Sequence, residues 1–244
     1  MAFDESITHP FKGKNDPDLG SVAVLVSNQE DLDQLCGLLD LDKQNRRKLL
    51  MSKIYMKVGS AATFSVAGPF IGAPYTVLVF ENLIVWGARQ FIFFGWCGAV
   101  SPHIKIGDII VPTSAVIDEG TSKHYGKNPN HTVTPSASLR KKIITSFNKK
   151  NIDVQEGSVW TTDAIYRETR KKVEYFQKRN VLAVEMEASA FFTVGNFRHV
   201  ETAAILVVSD EISTFDWQRG FRNKRFIKNR KAALEVIGHL CGNT

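Results

Sequence analysis

Two stretches decide the reading: Val181-Leu182-Ala183-Val184-Glu185-Met186-Glu187-Ala188-Ser189-Ala190, and Ala203-Ala204-Ile205-Leu206-Val207-Val208-Ser209-Asp210-Glu211. In the first, two carboxylates flank a methionine inside an otherwise apolar run. In the second, an apolar run ends in Ser-Asp. Burying a carboxylate is costly unless it is paired or hydrogen-bonded. Acids placed at the ends of apolar segments therefore need a use, and open α/β sheets keep their chemistry at strand ends.

Working outward, strand-like and helix-like patterns alternate along the chain. Ser21–Ser27 reads as a buried strand, as do Phe91–Gly95, ending in Gly-Trp-Cys-Gly, and Ala203–Val208. Ile54–Lys57 and Thr63–Ala67 read as strands around a turn at Gly59-Ser60-Ala61, and Gly107–Pro112 as a further strand entry. Helices are expected over Asn28–Leu41, with Asn28 or Ser27 as cap, from Pro74 to about Gly87, and over Ser136–Lys149. More follow over Arg167–Arg179, Glu187–Phe197 and, broken near Gly220, Phe215–Leu240. The alternation predicts a single α/β domain: a central mixed and partly parallel sheet, open or closed into a distorted barrel, flanked by helices. Residues 1–19 read as an irregular N-terminal arm and 20–244 as the domain.

Composition narrows the class. The 244 residues are 43% hydrophobic, enough for a real core. The net charge of +6 gathers in Arg46-Arg47-Lys48, Arg140-Lys141-Lys142 and the stretch from Arg219 to Lys231. No nucleic-acid motif accompanies these runs, so they read as solvated faces. The three cysteines, Cys36, Cys97 and Cys241, have no metal spacing, and their odd number argues against a disulfide framework. No membrane span and no signal core is legible, and the expected location is cytoplasmic.

Several segments in order resemble the nucleoside phosphorylase family, in the branch of uridine phosphorylase, hexameric purine nucleoside phosphorylase and methylthioadenosine/S-adenosylhomocysteine nucleosidase. They are Gly68…Gly72-Ala73-Pro74, Gly95-Trp96-Cys97-Gly98-Ala99, Gly107–Pro112, Glu119-Gly120-Thr121-Ser122, Thr162–Tyr166, Glu185-Met186-Glu187 and Ser209-Asp210. The resemblance implies cleavage of an N-glycosidic bond through a ribosyl-cation-like transition state. That chemistry needs a ribose clamp, an acid for the leaving base and a positioned nucleophile. The resemblance makes Glu187 the clamp, with Met186 packed on the sugar and Glu185 beside it, and Asp210 the acid, next to Ser209. A carboxyl in a dry cleft has the raised pKa such an acid requires. It places Ile165 and Tyr166 against the base, Trp96, Cys97, Gly98 and Gly72 along the substrate, and the acceptor near Gly68, Gly72 and Gly95. It also implies a homo-oligomer, a dimer or trimer of dimers, in which His9 and Arg47 reach a neighbouring subunit's site. Without the resemblance, Glu187 is a helix N-terminal carboxylate, Asp210 a turn cap, and His9 an arm residue with no role. The uracil-reading glutamine of uridine phosphorylases is replaced by Thr169, which points to purine-type bases.

The acceptor half departs from the family pattern. The phosphate-binding Gly-Asp-Pro-x-Arg turn reads Ser27-Asn28-Gln29-Glu30-Asp31. A second arginine position holds Phe93, and a hydroxyl position holds Trp96. Phosphate is a dianion best held by bidentate arginines. Backbone N–H groups of the glycine loops, with Arg46 or Arg47 of a neighbour, offer one replacement. Water is the other, with Glu30 or Asp31 as base. The expected activity is therefore phosphorolysis of a purine-type nucleoside to free base and ribose 1-phosphate. The alternatives are hydrolysis and, third, non-catalytic nucleoside binding. Arg219 or Arg222 is a candidate partner for Asp210. No metal and no organic cofactor is expected, with phosphate as the co-substrate.

Overall fold

The computed structural model describes residues 6–41, 46–57, 64–126 and 131–242. The expected Gly59-Ser60-Ala61 turn lies outside the described residues. The strands are β1 (Val22–Val26), β2 (Arg47–Leu49), β3 (Ser52–Met56), β4 (Phe64–Gly68), β5 (Gln90–Ala99) and β6 (Ile109–Asp118). They continue with β7 (Thr132–Val133), β8 (Gln155–Thr162), β9 (Val181–Glu185), β10 (Glu201–Glu211) and β11 (Gln218–Arg219). The helices are α1 (Gln29–Leu38), α2 (Ala73–Val85), α3 (Ala137–Lys149), α4 (Arg170–Gln177), α5 (Ala188–Phe197) and α6 (Lys224–Gly242).

All these strands join one mixed sheet. Five of them close on themselves. β5 runs parallel to β10, β10 antiparallel to β6, β6 parallel to β8, β8 parallel to β9, and β9 antiparallel to β5. The result is a five-strand barrel, the closed variant of the expected sheet. From β5 an open wing continues through β1 and β4, both parallel, to the antiparallel β3 and β2.

The apolar runs are unbroken because the sheet is covered on both faces. Alternate residues serve different cores. Ala23, Leu25, Phe91, Phe93, Ala204 and Leu206 pack with Phe80 of α2 and Phe191 of α5. Val22, Val24, Ile92, Phe94, Ile205 and Val207 pack with Leu32 of α1, Phe147 of α3, and Leu234 and Ile237 of α6.

Three expectations need correction. β5 does not end at Gly95; it runs on to Ala99, because Gly98 pairs with Val184 of β9 and with Asp210 of β10. The terminal helix begins at Lys224, not Phe215, since Gln218 and Arg219 form a short strand against Glu211 and Asp210. The charged segment after β8 opens with a 3-10 turn, Ile165–Arg167, and becomes helical only at Arg170, where the Thr169 hydroxyl caps Lys172 N–H.

Candidate active site

The strand ends Gly95–Ala99, Val184–Glu185 and Ser209–Glu211 meet at one end of the barrel, around a cavity of about 260 Å³. Its walls include Trp96, Cys97 and Gly98 from β5, Val184 to Glu187 from β9 and the start of α5, and Ser209 and Asp210 from β10. Ser27, Asn28, Phe70, Ile71, Ile165, Glu168, Trp217 and Phe221 complete the lining. The larger hollow, about 660 Å³, lies between β6, β8 and α4 and holds none of the expected site residues.

The Glu-Met-Glu carboxylates divide their work. Glu185 is buried, and its Oε2 accepts the N–H groups of Glu187 and Ala188, each at 2.7 Å. Its other oxygen accepts from the Thr161 hydroxyl. Glu185 thus satisfies the orphan donors at the start of α5, the capping job that a local reading gives to Glu187. It lines the cavity, yet its acceptor positions are turned into the protein. Glu187 is 6% exposed and accepts backbone hydrogen bonds from Gly72 N–H, at 2.6 Å, and from Met186. Gly72 sits at φ +77, where a side chain is strained, and that conformation aims its N–H at the carboxylate. Burial, then the neighbouring Glu185, pushes the Glu187 pKa up. Burial raises the Glu185 pKa as well, and its hydrogen bonds from Thr161, Glu187 and Ala188 pull it back, so neither carboxyl stays in the ordinary carboxylate range.

Asp210 owes its position to a bulge. Along β10, Val208 pairs with Cys97 and Asp210 with Gly98, leaving Ser209 as the extra residue. Gly98 leaves the space: a Cβ there would lie 3.2 Å from Asp210 Oδ2. Burial raises the Asp210 pKa, while hydrogen bonds from Ser209 and Trp217 pull it back. The Trp217 indole N–H donates to Oδ2 at 2.8 Å, and Ser209 Oγ lies 2.6 Å from Oδ1 and 3.3 Å from the Cys97 carbonyl oxygen. With Asp210 ionised, the hydroxyl donates to it. With Asp210 protonated, the carboxyl donates to Oγ, and the hydroxyl proton turns to Cys97. Both protonation states are accommodated, as an acid that gives up and regains a proton requires.

The acceptor side is built differently. Asp31 is fully buried in the first turn of α1. Its carboxylate accepts from the Asn28 side chain and from the Trp96 indole N–H at 2.8 Å, and it lies 2.9 Å from Arg230 Nε. Burial raises its pKa; Asn28, Arg230 and Trp96 oppose that. Arg230, buried on α6, also pairs with Glu30. Both acids read as candidate bases for water are therefore tied to an arginine. Trp96 is held edge-on by Phe226, ring centroids 5.1 Å apart. Where a phosphate-binding arginine was sought, an internal anion already has its counter-ion.

The other expected residues scatter. Ile165 lines the cavity, but Tyr166 points away at 88% exposure, because a 3-10 turn rotates successive side chains by about 120°. Gly68, Gly72 and Gly95 do not line the cavity, although Gly72 N–H reaches Glu187. His9 is an exposed arm residue, and Arg47 donates to the Asn15 carbonyl oxygen; neither lines this cavity. Asp210 is held by Trp217, not by Arg219 or Arg222. Arg219 lies over the Trp217 ring instead, 5.2 Å from its centroid. Glu168, Phe70, Trp217 and Phe221 are cavity residues the sequence reading missed.

A five-strand barrel in a mixed sheet, with carboxylates from β9–α5 and β10 converging at its mouth, defines a small-molecule site of the phosphorylase type. The phosphorylase superfamily profile matches residues 21–240, and the chain belongs to that superfamily. The DeoD-type purine nucleoside phosphorylase of Clostridium novyi (strain NT) is 31% identical over 175 residues, 70% of this chain and 75% of that protein. The guanosine phosphorylase of Halorubrum lacusprofundi is 25% identical over 198 residues, 80% of each. Uridine phosphorylase from Vibrio fischeri ES114 shares the fold with a TM-score of 0.81 at 24% identity, covering 93% of each chain. Toxoplasma gondii purine nucleoside phosphorylase, solved with immucillin-H, gives 0.79 at 20% identity, covering 93% of this chain and 92% of that one. Among the described residues no helix is long and apolar enough to cross a membrane, and no cluster of metal-ligating side chains occurs.

Proposed function

We propose that this protein cleaves the N-glycosidic bond of a purine-type nucleoside, passing the ribosyl group to phosphate to give free base and ribose 1-phosphate. The observation that carries this reading is the convergence of Glu187 and Asp210, from separate elements, on one cavity. Glu187 has spare acceptor capacity for the ribose hydroxyls, with Met186 beside it. Asp210 has the two-state environment of an acid for the leaving base. The purine nucleoside and guanosine phosphorylases among its relatives support phosphate as acceptor and purine as base. No metal or organic cofactor enters this mechanism.

One observation favours a second reading, with water as acceptor: the Asp31–Arg230–Trp96 cluster fills the place of a dianion site with an internal carboxylate. One assay separates the two. Inosine, guanosine, adenosine, methylthioadenosine and uridine are incubated with and without phosphate, and the sugar product is identified. Ribose 1-phosphate supports phosphorolysis. Free ribose released without phosphate overturns it in favour of hydrolysis. Base binding without turnover of any nucleoside overturns both in favour of a binding protein.

The proposal includes a cytoplasmic homo-oligomer. Ile71 lines the cavity yet is 72% exposed, and Leu78 of α2, Met51 and Phe11 are exposed apolar residues too. A neighbouring subunit covering that rim would close the site and bring in arm residues such as His9.

A further inference from the structure

The larger hollow, about 660 Å³, has no part in the reading so far. Its volume is that of a pocket for a small organic ligand. The floor is apolar, with Val116 of β6, Val181 at the start of β9 and the buried Phe176 of α4. Thr132 of β7 and Ser158 of β8 add two hydroxyls. Helical spacing makes the remaining wall. Lys171 and Tyr175 share one stripe of α4, Lys172 and Phe176 share the next, and Arg179 follows just past the helix end.

Charge on this wall is unbalanced. Asp118 is the one acid that lines the hollow, and it is already engaged. Its Oδ2 accepts from the Trp160 indole N–H at 2.9 Å and from Lys172 Nζ at 2.6 Å. Among the described residues, no carboxylate pairs with Lys171 or Arg179. Arg179 is nevertheless held in place. Its guanidinium carbon lies 3.5 Å from the Tyr175 ring centroid, and Nη1 donates to the Tyr175 carbonyl oxygen at 3.1 Å. The other N–H groups of that planar fork are left for an anion. A fork fixed before the ligand arrives costs less to order on binding.

We propose that this hollow is a second ligand site, separate from the candidate active site, and that it binds a nucleoside monophosphate. The phosphate sits on the Arg179 fork within the field of Lys171, and the base lies on the floor of Val116, Phe176 and Val181. Two uncompensated cations suit a phosphate monoester dianion better than a single carboxylate charge, and a guanidinium meets phosphate oxygens in pairs. A planar base has apolar faces for the floor and polar edges for the Thr132 and Ser158 hydroxyls. This inference does not depend on which bond the other cavity cleaves.

The test is calorimetric titration of guanosine 5′-monophosphate into the full chain at about 50 mM salt. Wild type is compared with Lys171→Ala, Arg179→Ala, Arg179→Lys and the double variant Lys171→Glu/Arg179→Glu. Wild type is expected to bind with a Kd below about 1 mM, and more weakly as salt rises. Each alanine variant should weaken binding about three- to tenfold. Arg179→Lys should weaken it too, since it keeps the charge and loses the fork. The double variant should not bind, with a melting temperature near wild type because both positions are exposed; should it fail to fold, the three single variants decide. Absence of binding to wild type at about 1 mM nucleotide, or unchanged affinity in the variants, overturns the site. Inorganic phosphate binding as tightly as the nucleotide overturns it as well, since the floor would then add nothing. So does displacement of the nucleotide by excess guanosine, which would place it in the other cavity. A double variant with altered oligomeric mass, beside a wild type that binds no nucleotide, would make this face a contact between copies of the chain and overturn the proposal.

Discussion

The two halves of the cleft handle a buried carboxylate in opposite ways. At the β9–α5 junction, Glu187 accepts only from backbone groups, Gly72 and Met186, and keeps acceptor capacity to spare. At the start of α1, Asp31 is enclosed by the protein's own groups: Asn28 and Trp96 donate to one oxygen, and Arg230 stands against the other as counter-ion. The same contrast recurs within one motif, where Glu185 is saturated and Glu187 is not. A buried acid is a site residue when its hydrogen-bond capacity exceeds what the fold supplies. When the two match, it is structure.

That contrast can be broken by experiment. The largest effect is expected at Asp210. Asp210→Asn keeps the shape and removes the proton, so kcat/KM for inosine falls roughly 10²–10⁴-fold, with a melting temperature close to wild type. Near-normal turnover would remove Asp210 from the acid role. Next comes Asp31→Ala, which leaves the buried Arg230 with only the exposed Glu30 as counter-ion and destabilises the fold by up to about 3–5 kcal/mol in denaturant titration. An unfolding midpoint equal to wild type would show that Asp31 is not the structural half of the pair.

Glu187→Gln should follow, losing charged hydrogen bonds to the ribose worth about 1.5–3 kcal/mol, mostly as weaker nucleoside binding. Its pH behaviour sharpens the test. Burial and Glu185 raise the Glu187 pKa, so the free protein holds a proton that ribose binding expels. Wild-type KM for inosine should fall as pH rises through that raised value, whereas the Glu187→Gln profile stays flat. The same shift acts on folding. A raised carboxylate pKa gives stability that is present at acid pH and is lost as pH climbs from the ordinary 4.5 through the raised value. Glu187→Gln should lessen that loss in thermal melts, the rest coming from the other buried carboxyls with raised pKa values, Glu185, Asp210 and Asp31. The smallest effect is expected from Trp96→Phe, which removes one donor from Asp31 at a cost of about 1 kcal/mol. A large change in nucleophile use would instead make Trp96 part of the chemistry.

Much of this was legible in the sequence, for identifiable reasons. The fold announces itself because strands such as Val22–Val26 and Ala203–Val208 are covered on both faces, so every residue must be apolar. Glu187 and Asp210 stand out as acids attached to such strands. The misreadings come from local signals overridden at long range. Two glycines near Trp96 look like a turn, yet they continue β5 because Asp210 needs the room beside Gly98. Glu168 lies in the charged run Arg167–Lys172 and reads as a solvated helix; the Thr169 cap one residue later was the clue that it stands outside the helix. Trp217 sits in a segment taken for the start of the terminal helix. No local pattern could pair Asp31 with Arg230, since each looks like an ordinary surface charge on its own helix.

The link between α1 and α6 also bears on when the cleft comes into being. Glu30 and Arg230 are 200 positions apart. At the usual pace of synthesis, the first acids leave the ribosome about 10–40 s before the arginine that neutralises them. The barrel strands that carry Glu187 and Asp210 precede that arginine in the chain. The strands that bear the cavity's carboxylates are therefore synthesised before the helix whose arginine pairs with Asp31 and Glu30.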